Sequence, residues 1–225
     1  MDTAAPPRLD ARTRALLSAG TLAGLLVAAV SWTLALLRPG FDVRRHANSM
    51  LALGDWGWVQ TLNFITFGVL VTGAAVGVAR ATAPSKAGRG AAVGMWLYGA
   101  SSVVVGVNPA DPQLGFPPGS RPDFPGYAEV SVAARVHGVS GAIGFTAMTV
   151  ACFLFARYFA RGGRRGWAAA SAGTGTAVIA VVVHLAANSA IPTTHYNYIP
   201  TWAVGTALWL YVSAVCAHLV RDGSR

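Results

Sequence analysis

The stretch 15-ALLSAGTLAGLLVAAVSWTLALL-37 contains no charged residue, and its reading decides the fold class. It exceeds the roughly 20 apolar residues that a bilayer-spanning helix needs. A basic leader with Arg8, Arg12 and Arg14 precedes it, as in a secretory signal. The apolar core is too long for that reading, because signal h-regions hold about 7–15 residues. The run is therefore expected to be a retained first transmembrane helix.

Working outward, five more runs of the same kind follow, near 56–79, 91–107, 136–156, 167–190 and 201–220. None contains Asp, Glu, Lys or Arg. The chain of 225 residues is 54% hydrophobic and 11% charged, less than half the ~25% charge of soluble domains. The expectation is an all-α integral membrane bundle of six transmembrane helices. A tail at 1–14 precedes the transmembrane domain at 15–220, and a short tail at 221–225 follows it. The lipid bilayer is the implied partner. No repeat relates the first three spans to the last three, as an inverted-repeat transporter would require.

Net charge is +9, which in a soluble chain would point to nucleic acid. Here the charges sit in the short loops between spans, so they report topology and no nucleic-acid partner is expected. Twelve basic residues fall on one side: Arg8, Arg12, Arg14, Arg80, Lys86, Arg89, Arg157, Arg161, Arg164, Arg165, Arg221 and Arg225. Five fall on the other: Arg38, Arg44, Arg45, Arg121 and Arg135. The positive-inside rule then places both termini in the cytoplasm of a multi-pass protein of the inner (plasma) membrane. Cys152 and Cys216 lie near the cytoplasmic ends of their spans, so packing is expected of them and a disulfide is not. Gly20 and Gly24, and Gly73 and Gly77, have the small-xxx-small spacing of close helix contacts. Trp56, Trp58, Tyr158, Trp167 and Trp202 sit near span ends, where an aromatic belt is expected.

Polar chemistry collects on the opposite, outer side. The first outer loop carries Asp42, His46, Asn48, Ser49 and Asp55, and the second span continues with Gln60 and Asn63. The third span ends in NPADP, giving Asn108 and Asp111. The loop over 108–135 holds six of the twelve prolines, and a loop of that length is usually functional or disordered. His137, Ser140, Gly141 and Gly144 fall at i, i+3, i+4 and i+7, on one helical face; His184 and Asn188, at i and i+4, share another. Polar groups in hydrocarbon usually face a bundle interior or a wet cavity. The arrangement that satisfies them is a polar vestibule open to the extracytoplasmic side, lined by Asp55, Asn63, Asn108, Asp111, His137, Ser140, His184 and Asn188.

The segments HANSMLALGDWGWVQTLNF, NPADP and VHGVSGAIGF resemble the bacterial multi-pass proteins grouped as domain of unknown function 998, over about residues 15–220. The resemblance implies a six-helix membrane protein and brings no activity with it. It marks Ser49, Asp55, Asp111 and His137 as motif positions.

Three functional readings follow. The first is a membrane protein whose outer polar groups line a vestibule without assigned chemistry. The second is a metal-dependent intramembrane hydrolase acting on lipid-like substrates. Zinc would be held by His137, His184 and Asp111, with His46 or His195 as alternatives and Ser49 or Ser140 polarising the substrate. No compact ligand motif such as HExxH supports it. The third is a transporter or receptor for an uncharged small or lipid-like ligand, uncharged because the spans lack the acidic and basic carriers of an ion-coupled relay. Haem ligation by His137 and His184 is a further alternative, weakened by their unequal depth. Retinal is excluded because no span offers a lysine for a Schiff base. No cofactor is implied with force.

Overall fold

A computed structural model describes residues 9–123, 129–188 and 197–223, with Asn188 as backbone only. It contains six long helices: α1 (Ala11–Leu37), α2 (Gly57–Ala81), α3 (Lys86–Val107), α4 (Val132–Arg161), α5 (Arg165–Asn188) and α6 (Ile199–Asp222). A single 3-10 turn, Asn48–Ala52, lies between α1 and α2. Each of the six helices is long and apolar enough to cross a membrane. Among the described residues there is no strand beyond one isolated bridge, between Gln113 and Phe116. The protein is an all-helical, multi-pass membrane protein.

Most of the helices run past the apolar stretches that announce them, because their ends are set by hydrogen bonding as well as by hydropathy. Asp10 caps α1, its carboxylate 2.6 Å from the Thr13 amide. Ser85 caps α3 through Gly88, and Ser131 caps α4 through Ala134. Each cap satisfies one of the amides that a helix start leaves without an intrahelical acceptor. Pro200, in the first turn of α6, needs no such acceptor.

Each helix packs on the next, and α6 returns to α1, closing a ring whose loosest joint is α5 against α6. The first and last described residues meet at one end of the bundle, where the Leu9 amide reaches the Gly223 carbonyl at 3.4 Å. We call this the proximal end. There Arg164 pairs with Asp222, and His218 stacks on Trp167 at 4.4 Å. The close approach of α1 to its neighbours depends on glycine. A Cβ on Gly20 would lie 2.5 Å from the Ala74 Cβ and 2.6 Å from the Cys216 Sγ, and one on Gly24 would overlap the Trp209 carbonyl. The spacing noted in the sequence thus serves contacts within the chain.

The main core fills the proximal and middle parts of the ring, with Phe67, Met95, Met148, Phe155, Phe159 and Leu208 at its centre. Cys152 and Cys216 are buried in it and unpaired. The distal end is closed separately. Met50, Leu53, Leu114 and Phe116 form a small plug, and Leu34, Ala35, Leu51 and Trp202 form a second cluster. The proline-rich segment up to Asp123 is folded back on itself, with Gly115 N–H donating to the Arg121 carbonyl at 2.8 Å. It delivers a fully buried Phe116 to the plug. Trp202, expected in an interfacial belt, is instead 3% exposed. Its indole N–H donates to the His46 carbonyl at 2.9 Å, and its ring lies 4.9 Å from Trp32. That internal acceptor removes its need for the wet interface.

Candidate functional site

Between the main core and the distal plug lies a layer that is neither. Its fixed part is a buried polar cluster joining α1, α2 and the 3-10 turn. Gln60 Nε2 donates to Ser31 Oγ (3.1 Å) and to Asn48 Oδ1 (3.0 Å). Asn63 Nδ2 contacts the Val27 carbonyl, Ser31 Oγ and Gln60 Oε1, each at 3.2 Å. Asn63, expected to line a site, ties α2 to α1 through Nδ2, while its Oδ1 is buried without a partner. Arg38 does the same for the 3-10 turn. Its guanidinium donates to the carbonyls of Leu51 (3.1 Å) and Leu53 (2.6 Å) and lies over the Phe116 ring. Burial draws its pKa below the usual arginine value, with nearby Asp55 opposing. Asp55 itself is exposed.

His46 is likewise consumed by the fold. Its Nδ1 accepts the Asp42 amide at 2.9 Å, so the proton resides on Nε2, which donates to the Leu114 carbonyl at 3.1 Å. The ring is 3% exposed and sits between Phe41 and Phe116. Burial lowers its pKa; the Leu114 bond opposes that shift, Arg45 adds to it and Asp42 opposes it. The imidazole thus links the α1–α2 loop to the α3–α4 loop.

The rest of this layer is open. A cavity of about 180 Å3 lies among α2, α3, α4, α6 and the 3-10 turn. Phe67, Tyr98 and Trp209 bound it on the core side, and Asn48, Ser49 and Trp202 on the distal side. Ser101, Ser102 and Val105 of α3, His137, Gly141 and Gly144 of α4, and Thr201 and Gly205 of α6 are also part of its wall. Among the described residues no charged side chain lines it. A second cavity of about 580 Å3 adjoins it, lined by Asp111, Gln113, Arg135 and Gly138 among others. Two residues, Ser49 and His137, line both.

These two are held differently from His46. His137 Nδ1 lies 2.7 Å from the carbonyl oxygen of Asn108, the residue that ends α3. A carbonyl can only accept, so Nδ1 carries the proton and Nε2 of the neutral ring keeps its lone pair, with the Val105 carbonyl also facing the imidazole. Asn108 is fixed in turn by its side chain, which donates to the Val104 carbonyl at 2.9 Å. Ser49 sits on the 3-10 turn that Arg38 and Gln60 anchor, and its hydroxyl has no hydrogen bond among the described residues. Beside it, Asn48 Nδ2 is buried without an acceptor, as is Thr201 Oγ1 across the cavity.

Of the residues expected to line a vestibule, the structure brings Asp111 and His137 to one cavity. Asp111 also accepts the Ser131 amide at 2.8 Å and so steadies the start of α4. Of the face predicted on α4, His137, Gly141 and Gly144 line the inner cavity and Ser140 does not. His184 lies elsewhere, with Nε2 3.5 Å from the Asn197 carbonyl. The Asn188 side chain and His195 lie outside the described residues. The three candidate zinc ligands therefore answer to three different backbone groups. Among the described residues no three His, Cys, Asp or Glu side chains are grouped to hold a metal. Tyr98, Ser101, Thr201 and Trp209 were not anticipated. In sequence they look like core and packing residues, and only the gap between α4 and α6 makes them a wall.

The model of a family described as "Protein of unknown function (DUF998)" matches residues 21–221. The chain belongs to that family. Comparison with curated proteins and with solved structures returns no significant match in either case. In this DUF998 protein the segments that carried the resemblance fall around one layer. HANSMLALGDW supplies the 3-10 turn with Asn48 and Ser49, NPADP supplies the Asn108 carbonyl and Asp111, and VHGVSGAIG supplies His137 and the glycines of α4.

Proposed function

We propose that the protein binds an uncharged, lipid-like ligand in the two adjoining cavities at its distal end. The apolar chain lies in the inner cavity against Phe67, Tyr98 and Trp209, and the polar head lies in the second. The observation that carries this reading is the junction. An inner cavity without charged side chains opens beside one bearing Asp111 and Arg135, and Ser49 and His137 stand where they meet. Mostly apolar walls with a few placed polar groups are the usual make-up of a small-molecule site. A dry cavity of ~150 Å3 is already enough to take an aromatic guest. The basic residues concentrate in the proximal loops and tails, which supports cytoplasmic termini and a site facing outward from a plasma membrane. A receptor or transporter for such a ligand is the corresponding role.

The test is photo-crosslinking with a diazirine-bearing long-chain alcohol, followed by peptide mapping. Label is expected on α4 around Gly141–Phe145 and on α6 around Thr201–Trp209, and an unmodified long-chain alcohol should compete it away. Gly141→Leu and Gly205→Leu are expected to abolish this label. A Cβ at either position meets no atom within 4 Å, so the added side chain enters the cavity rather than the core. Label spread evenly over all six helices and indifferent to both substitutions would overturn the reading.

A further inference from the structure

We propose that the same site cleaves carboxylic esters of its lipid-like ligand, with Ser49 as nucleophile and His137 as general base, and without a metal. The inference rests on the binding reading above and adds chemistry to it. Four observations carry it. Ser49 and His137 are the residues common to both cavities, so a ligand spanning the junction presents its head-to-chain linkage to them. The Asn108 carbonyl, 2.7 Å from Nδ1, fixes the tautomer that leaves Nε2 able to take a proton. It stands where acyl-transfer enzymes place a group that orients the base. The Ser49 hydroxyl has no hydrogen bond among the described residues and rides on a turn clamped by Arg38. Asn48 Nδ2, in the preceding residue, is a buried donor without an acceptor, the kind of group that a developing oxyanion satisfies.

The step balances without a further reagent than water. Ser49 Oγ attacks the ester carbon as its proton passes to His137 Nε2, forming the Oγ–C bond and an oxyanion that accepts from Asn48 Nδ2. The oxyanion collapses, the C–O bond to the alcohol breaks, and His137 returns the proton to the leaving alcohol. Water, deprotonated by His137, then attacks the acyl group, releasing a carboxylic acid and restoring the Ser49 hydroxyl. The class of substrate is an uncharged ester of a single acyl chain.

The experiment uses the full chain in detergent, with two probes and one control ligand. A decyl fluorophosphonate is expected to add once, at Ser49, and p-nitrophenyl decanoate to be hydrolysed. Ser49→Ala should abolish both while retaining the photo-crosslink to the long-chain alcohol, which has no carbonyl to attack. His137→Gln should slow hydrolysis by about a hundred- to ten-thousand-fold and flatten its pH profile. Ser140→Ala, on the same helix but outside both cavities, should change neither. Wild-type protein that crosslinks the alcohol on α4 and α6 but shows no Ser49 adduct and no ester turnover overturns the chemistry and leaves the binding reading standing. Turnover that survives Ser49→Ala also overturns it. Absence of the crosslink in wild type removes the binding reading, and this inference with it.

Discussion

Removing the imidazole of His46, or protonating it, should release the distal loop between α3 and α4 while leaving the helices in place. Truncation to alanine strands the Asp42 amide and the Leu114 carbonyl, which the ring nitrogens now satisfy at 2.9 and 3.1 Å. A buried polar group left unpaired costs about 1–3 kcal/mol. The ring contacts with Phe41 and Phe116, centroids at 5.1 and 5.4 Å, add about 0.5–1.5 kcal/mol each. Some of this returns as water reaches the freed groups, so His46→Ala is expected to ease loop opening by about 3 kcal/mol, roughly a 150-fold shift in the opening equilibrium. Acidification acts in the same direction. The folded pKa lies below the ordinary 6.5, chiefly because the ring is buried, so the open loop binds the proton more tightly than the closed one. The stabilisation is complete above that ordinary value and declines as pH falls from it toward the folded pKa. The decline is at most about 1.4 kcal/mol per pH unit for one proton. Arg45 reinforces this and Asp42 opposes it. The assay is hydrogen exchange read by mass spectrometry and corrected for intrinsic rates. The reporters are the Gly115 and Phe116 amides, which donate to Arg121 and Gln113. Protection at these amides that survives both His46→Ala and acidification below the ordinary histidine pKa would refute the reasoning.

Other parts of the structure make separate predictions. Gly24→Ala would drive a methyl group into the Trp209 carbonyl and to 2.5 Å from Ser213 Oγ. It should lower stability by about 1–3 kcal/mol or more, seen as a fall in thermal midpoint, whereas Gly173→Ala, which meets nothing within 4 Å, should not. Arg38→Ala removes two charge-assisted bonds to the Leu51 and Leu53 carbonyls and is expected to cost about 3 kcal/mol. Arg38→Lys should recover less than half of that in the same melting assay, because an ammonium lacks the fork that reaches both oxygens. A reporter that is active only outside the cytoplasm should stay silent when fused after Arg225, and activity there would reverse the proposed orientation.

The six helices were legible because charge in hydrocarbon is so unfavourable that its absence marks a span directly. Their ends were less so. Hydropathy reports what is buried, whereas Asp10, Ser85 and Ser131 start their helices by accepting amides several residues before the apolar run begins. Trp202 shows another limit. Its place at a span end matched an interfacial belt, but its partner is the His46 carbonyl, 156 residues away in sequence, and no local pattern announces such a bond. His46 and Asn63 were read as site candidates for sound reasons, since buried polar groups often serve function. In the structure both ring nitrogens of His46 bond the main chain, and Asn63 pairs α2 with α1 through Nδ2 while its Oδ1 stays unpaired. The apolar wall was illegible in principle. Tyr98 and Trp209 obey the same periodicity whether they face another helix or a void, and what decides between the two is whether α4 reaches α6.

That difference separates two kinds of polar residue in the distal layer. One kind is spent: both nitrogens of His46 are bonded, the Gln60 amide bridges Ser31 and Asn48, and Arg38 holds two carbonyls. The other kind is held but not spent. His137 is fixed through Nδ1 and keeps Nε2, Asn48 is fixed through Oδ1 and keeps Nδ2, and Ser49 is fixed through its backbone turn and keeps its hydroxyl. If these residues served only stability, apolar side chains of similar size would do as well and would avoid a buried unpaired donor at about 1–3 kcal/mol. Anchoring one end of each residue while leaving the other unused does little for a helix bundle. It does much for a site whose ligand completes the bonds, because groups already oriented lose little entropy when the ligand arrives. All three lie around the cavities where Ser49 and His137 meet, as do the unpaired Thr201 Oγ1 and Gln113 Oε1, whereas the unpaired Asn63 Oδ1 and Ser213 Oγ lie outside both; the junction is where a ligand or a reaction is to be sought.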